Sequence, residues 1–358
     1  MFLGEYVCRG GKDEVNILFM IGNGFDLNVG LKTSFHHFLP VYLRLPSSDA
    51  RIEKFKETID DEGIQTWANF EARLGEYAKE FNPDKGDDLV YCKDNFLEEF
   101  VNYLIHEESK IDYADHADEI LRVFKKSLSE YIATLPSASS NAIKAVYAKY
   151  ANERHYYDFM SYNYTGVLDA CINILKSQQT AVFQHRANNG NTITDRLNNV
   201  LHIHGTIDAD TILGCDNASQ IHNDVLSCDN YFTRLLLKPS INERLRNQNH
   251  EKGEHLIDTS SIICVFGMSI GITDKTWWKK IGNWLLQGEP HNLVLFDIED
   301  YRRIHTSALI RARDRITNRF FEMADFPEDK CEAYEPKIHI GLNTDVFKID
   351  LTKSTKKA

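Results

Sequence analysis

Apolar residues fall in short, nearly unbroken runs, separated by longer stretches in which they recur every three or four positions. Runs at 15–21, 157–162, 199–203, 261–266 and 292–296, with weaker ones at 337–341 and 345–350, predict strands. They do not alternate apolar with polar. That is the signature of strands covered on both faces, as in a parallel sheet between helices. Trp67, Phe70, Leu74 and Tyr77 fall on one stripe of a helix over 64–79. Further helical patterns cover 116–135, 139–151, 165–176, 229–247, 274–287 and 300–324. Asp229 and Asp274 stand where N-caps belong, as do Ser139, Ser140 and Asn141. Asn189-Gly190, between apolar runs in 181–197, signals a hairpin. The pattern predicts an α/β fold, Rossmann-like, with a mostly parallel sheet sandwiched by helices.

The stretch between the first two strands is helical in pattern nearly throughout and far exceeds one crossover helix. The expected organisation is a nucleotide-binding core of 1–44 and 156–350, a helical insertion over 45–155 and a disordered tail at 351–358. The insertion is placed to wall or cover the edge of the sheet.

Composition narrows the choices. The net charge is −12, from 53 acidic and 41 basic residues. Such a chain lacks the overall field that draws a polyanion, which argues against nucleic acid but not against a single nucleotide. Seven widely spaced cysteines with no Cys-x-x-Cys imply reduced thiols and no zinc ribbon. The amino terminus carries an acid where a signal peptide needs a basic start. The longest apolar stretch, near 262–272, falls short of the roughly 18–20 residues that span a bilayer. The expectation is a soluble cytoplasmic protein with no membrane segment.

Four strands end in groups suited to a ligand crevice. The first ends in Gly22-Asn23-Gly24-Phe25-Asp26. Leu27 stands where a dinucleotide fingerprint has its third glycine, so the redox version of the motif fails. The turn is either an anion-binding loop or an ordinary tight exit with Asp26 as a cap. The second run ends in Tyr162-Asn163-Tyr164-Thr165, where Asn163 either faces a ligand or caps the next helix. The third ends in His202-Ile203-His204-Gly205. Alternation puts both histidines on one face, and no third ligand stands at a diagnostic metal spacing. His202 reads as structural and His204 as the chemical one. The fourth, Gly267-Met268-Ser269-Ile270-Gly271 and then Asp274, matches Gly-x-Ser-x-Gly. With Asp297 and His339 later in the chain, it offers a serine-hydrolase alternative through Ser269.

The opening Ile21-Gly-Asn-Gly-Phe-Asp-Leu27, with Gly30–Phe35, Trp67, Phe70-Glu71, Leu74-Gly75, Gly267-x-Ser269, Asp274 and Trp277-Trp278, resembles the bacteriophage abortive-infection AbiH family. The resemblance runs from about residue 15 to 285. That family is similar in turn to sirtuin-like proteins of anti-phage systems. Those have a glycine loop, strands ending in Asn-Tyr-Asp and Leu-His-Gly, and a late Gly-x-Ser turn. Here the second reads Asn163-Tyr164-Thr165, with Thr in place of Asp, and the third Ile203-His204-Gly205. The resemblance implies an NAD glycohydrolase, cutting the nicotinamide–ribose bond through an oxocarbenium-like transition state. Asn163 and His204 would be catalytic, Asn163 on a ribose hydroxyl or the water and His204 as general base. The amides of Gly22, Asn23 and Gly24 would cradle the pyrophosphate. Asp26 would touch the ribose or order the loop, and Gly205 would let the ligand approach the backbone closely. Gly267, Ser269 and Asp274 would hold the adenosine end. No metal or resident cofactor is implied. NAD or a related nucleotide is the substrate, with a phage-derived trigger and a homo-oligomer as further partners. A nucleotide-sensing module without turnover is the other alternative.

Overall fold

The computed structural model describes residues 15–60, 74–80, 86–178, 183–215, 217–299 and 305–353. Its centre is a six-stranded parallel sheet. The strands are β1 (Val15–Ile21), β2 (His155–Ser161), β5 (Arg196–His202), β6 (Ile262–Phe266), β7 (Asn292–Asp297) and β8 (Ile338–Leu342). Across the sheet they run β5-β2-β1-β6-β7-β8. The chain therefore winds outward from β1 in one direction, returns, and winds outward in the other. The reversal lies between β1 and β6, and in open α/β sheets the crevice at the carboxyl ends of such a pair is where ligands bind. A separate hairpin pairs β3 (Gln184–Arg186) with β4 (Thr192–Thr194) around the expected Asn189-Gly190 turn.

The unbroken apolar runs have the cause read from them. In β1, Ile17, Phe19 and Ile21 enter the core on one face, and Leu18 and Met20 the core on the other. Strand side chains alternate, so a strand with helices on both sides must be apolar at every position. The first face is covered by α5 (Ala117–Ser129), α6 (Ser137–Lys149) and α7 (Val167–Ser177). The second is covered by α11 (Asn249–Thr259), α12 (Lys275–Leu285) and α13 (Thr306–Met323), where Trp278 and Trp284 are fully buried. A third core belongs to a helical lobe. It joins α2 (Phe35–Arg44), α3 (Ala50–Ile59) and α4 (Gly86–Glu108), preceded by the short α1 (Gly24–Asn28) of the first loop, to 213–237. That late segment holds α8 (Asp224–Cys228) and α9 (Asn230–Leu236), followed by α10 (Lys238–Arg244). The stretch 45–155 thus divides: its first part builds the lobe, and 117–149 is the cover of the sheet itself.

Other differences have local reasons. The pattern at 229–247 is two helices, because Pro239 in the first turn of α10 leaves Leu237 extended between them. Asp229 does cap the first of these, accepting from Tyr231 and Phe232. The helix expected at 139–151 starts at Ser137 behind Pro136, so Ser139–Asn141 lie inside it. The helix expected at 116–135 stops at Ser129 and continues as a 3₁₀ turn to Thr134. The weak strand at 345–350 is irregular. There Phe347, at φ +53, is fully buried with its ring 5.1–6.0 Å from those of Phe19, Phe25, Phe124 and Phe266. The ordered chain runs past 351: Leu351 is buried and its amide donates to the Val29 carbonyl. Residues 61–73, with Trp67 and Phe70, 300–304 and 354–358 lie outside the described residues.

The loops after β1 and β6 touch backbone to backbone. The Gly24 amide donates to the Gly267 carbonyl at 2.8 Å, and the Gly22 amide to the Phe266 carbonyl at 2.9 Å. Gly267 has φ +69, and a Cβ there would lie 2.6 Å from the Phe25 nitrogen. Gly267→Ala is expected to destabilise the fold by about 2–4 kcal/mol, from left-handed strain plus backbone displacement. The shift of the urea midpoint measures it, and an unchanged midpoint would contradict the packing described.

Candidate functional site

The carboxyl ends of β1, β2, β5 and β6 surround a cavity of about 370 Å³. That is within the range of small-molecule sites. Its floor is Gly22–Gly24, Asp26, Asn163, His204 and Gly267–Ser269. Asp274 and Lys238 close one side, and Phe35, Phe100 and Leu104 of the helical lobe supply an apolar wall.

The first loop does less than its glycines suggested. Its Gly22 and Gly24 amides are spent on the β6 loop, so they are not donors for a pyrophosphate. A Cβ on Gly24 would meet Gly267 Cα at 2.6 Å, so these glycines serve loop-to-loop approach. Asn23 is tied to Thr33, accepting from its hydroxyl at 2.6 Å. Gly205 is outside the cavity lining. At φ +75 it faces the Asp210 carbonyl, where a Cβ would lie 1.9 Å away, and so makes room for the turn after β5.

What the first loop delivers is Asp26. This carboxyl, on α1, is 1% exposed. Asn163 Nδ2 donates to its Oδ1 at 2.9 Å, and the Thr165 hydroxyl donates to its Oδ2 at 2.8 Å. Burial pushes the Asp26 pKa up to about 7, against the downward pull of those two bonds. Thr165 therefore has a defined task as a donor to Asp26. An Asp there would set a second carboxyl against Asp26 and remove its donor. Asn163 is held from behind as well. His202 Nδ1 lies 2.9 Å from its backbone carbonyl, and His202 Nε2 lies 2.7 Å from Asp169 Oδ2. Burial works against the His202 cation, but the Asp169 carboxylate outweighs it and raises the pKa. His202 is structural, as its place in the motif suggested.

His204 is the second titratable group on the cavity floor. Its Nε2 is 3.7 Å from Asp274 Oδ1. Its Nδ1 is buried without a hydrogen-bond partner, as is Asn163 Oδ1. Burial, then the Lys238 ammonium, hold His204 below the usual imidazole pKa, so it is neutral at pH 7. Asp274, despite burial, is held below the usual carboxylate range by His204 and Lys238. Asp274 makes no side-chain cap bond to α12 and serves the imidazole instead. Lys238 carried no signal in the sequence, because α10 reaches the cavity only through the packing of the helical lobe.

The Ser269 triad does not assemble. Ser269 and Asp297 line a second hollow of about 400 Å³ beside Arg315 and Arg319. His339, however, pairs with Val294, three positions before Asp297 on β7, and its Nε2 meets Asn292 Oδ1 at 2.9 Å. No helix follows Ser269 directly either, since α12 begins at Lys275.

Asp26 has a stability consequence. Its folded pKa lies above that of an unfolded chain, so the folded state keeps a proton that the unfolded chain loses. Stability therefore falls as pH rises from about 4 to about 7 and levels off above. Asp26→Asn keeps both hydrogen bonds, since the Thr165 hydroxyl can accept as well as donate. Its stability relative to wild type is expected to improve by roughly 2–3 kcal/mol between pH 5 and pH 8. Urea unfolding at both pH values checks this, and a pH-independent difference would contradict it.

No helix among the described residues is long and apolar enough to cross a membrane. No curated protein and no solved structure matches the chain. Residues 18–293 match the family model described as bacteriophage abortive infection AbiH. With the glycine-loop opening and the paired tryptophans inside that span, the chain belongs to the AbiH family of phage abortive-infection proteins.

Proposed function

We propose that this abortive-infection protein acts by hydrolysing NAD, or a closely related nucleotide, at the nicotinamide–ribose bond. The observation that carries the reading is one cavity with two buried, unpartnered acceptors, Asn163 Oδ1 and His204 Nδ1, beside the Asp26 carboxyl. Buried polar atoms are nearly always paired, so two unpartnered acceptors on residues that line one cavity suit hydroxyl or water donors from a ligand. The cavity also sits at the winding reversal, where this sheet architecture binds nucleotides.

Each group has a task in that reaction. The C1′–N bond breaks with its electron pair going to the nicotinamide nitrogen, so the leaving group needs no proton. Positive charge builds on the ribose, and the Asp26 carboxylate stabilises it in a site that excludes most water. Asn163 accepts from a ribose hydroxyl while its amide fixes Asp26. Asp274, 3.7 Å from His204 Nε2, favours the tautomer protonated there, which leaves the Nδ1 lone pair as an acceptor. A water oxygen bonds to C1′, and its proton passes to that nitrogen, as in other carboxylate–histidine pairs. The products are nicotinamide, ADP-ribose and a proton. The apolar wall of the lobe suits the nicotinamide ring, and Lys238 suits an anionic part of the substrate.

The test is nicotinamide release from NAD by the purified chain, alone and with extract of phage-infected cells, read by liquid chromatography. His204→Ala and Asn163→Ala are each expected to lower kcat by about 10²–10⁴-fold. Wild-type kcat should rise with pH through about 7, as Asp26 ionises, and Asp26→Asn should abolish activity. Tight NAD binding with no turnover in either condition would instead make the protein a nucleotide sensor.

A further inference from the structure

We propose a second site at the opposite edge of the sheet: a zinc-class divalent cation held by His155, His185 and Asp195. His155 opens β2, Asp195 immediately precedes β5, and His185 lies in β3 of the hairpin. In a parallel sheet all strands start at one edge, so this cluster is a full strand length from Asn163 and His204. Each side chain offers one ligand atom, and the three atoms lie within 4.8 Å of one another. Two imidazoles and a carboxylate suit zinc-class ions, whereas magnesium and calcium take oxygen ligands.

The surrounding hydrogen bonds favour a cation. His185 Nε2 is 3.2 Å from the Ala151 carbonyl, which can only accept. In the tautomer that donates from Nε2, the Nδ1 lone pair faces Asp195 Oδ1, 2.8 Å away. A cation seated there would be held by both atoms. An N–H donated to a backbone carbonyl is also how metal-bound histidines are usually oriented. His155 Nδ1 faces the same oxygen from 3.7 Å. The rings lie stacked, 3.9 Å apart and 8° from parallel, so binding turns them until their lone pairs converge.

The site would be structural. The hairpin is fastened to the sheet by the Asp195 amide, which donates to Phe183, and by the His155 amide, which donates to Asp195 Oδ1. A cation there cross-links β2, the hairpin and the start of β5. The ligands stand at 155, 185 and 195, far from any short-spaced zinc motif, which is why the sequence pointed to no metal.

The full chain, stripped with a chelator and desalted, is titrated with Zn²⁺ alone and with Co²⁺ alone. The expected results are one zinc per chain by elemental analysis, a visible cobalt d–d band and a zinc-dependent rise in Tm. His185→Ala should weaken zinc binding at least about 10-fold and lose the Tm rise, while His204→Ala keeps both. Should His185→Ala fail to fold, Asp195→Asn, which keeps an acceptor for the His155 amide, gives the same comparison. Wild-type protein that retains no zinc, or equal affinity in wild type and variant, overturns the proposal.

Discussion

The site depends on the contact between two bare backbones. The Gly24 amide donates to the Gly267 carbonyl, and neither loop leaves room for a Cβ at the crossing. This is the point where the sheet reverses its winding. Because the β6 loop presses against the β1 loop, the chain after Gly24 turns at once into α1, and Asp26 points inward at Asn163 and Thr165. A wider turn would carry that carboxyl out to solvent, where it would be an ordinary exposed acid. The glycines thus determine where a charge is buried; they do not grip a ligand themselves.

That burial explains the electrostatics of the cavity. A hydrogen bond to a charged group contributes about 1.5–3 kcal/mol. Taking a carboxylate out of water costs several kcal/mol. Two donors therefore soften the penalty on Asp26 without removing it, and its pKa rises to about 7. On the other side of the cavity the balance reverses. Asp274 has both His204 and Lys238 near it and stays ionised, which in turn orients a neutral imidazole. Two carboxyls in one cavity are thus driven apart in pKa by their neighbours, the arrangement that lets such pairs take different chemical roles. Here Asp26 can gain or lose a proton near neutrality, whereas Asp274 keeps a fixed charge.

Much of the architecture was legible from local pattern. The strands at 15–21, 157–162, 261–266 and 292–296 were marked by unbroken apolar runs, because each is covered on both faces, and the one at 199–203 by a shorter run, because it is the half-exposed edge strand. The weaker run at 345–350, interrupted by Asp345, Lys348 and Asp350, forms no strand. Its apolar side chains, Phe347 above all, fill the core from an irregular turn. Pattern records burial, and burial alone does not specify backbone form. Asn163 and His204 were legible for a different reason: each follows directly on a strand, and parallel strands deliver their carboxyl ends to a common edge. Ser269, Asp297 and His339 looked as plausible in chain order. Register separates them, since His339 lies three positions short of Asp297 along the sheet.

The sequence by itself determined the sheet, the edge that carries the cavity and the main polar groups there, since these follow from hydrophobic period and strand direction. Tertiary structure alone decided what each polar group faces. It turned the Gly22 and Gly24 amides away from a ligand, gave Thr165 a carboxylate to hold and brought Lys238 in on a helix of the lobe. It also gathered His155, His185 and Asp195 at the far edge. Those outcomes depend on contacts between segments tens to hundreds of residues apart, and local spacing holds no record of them.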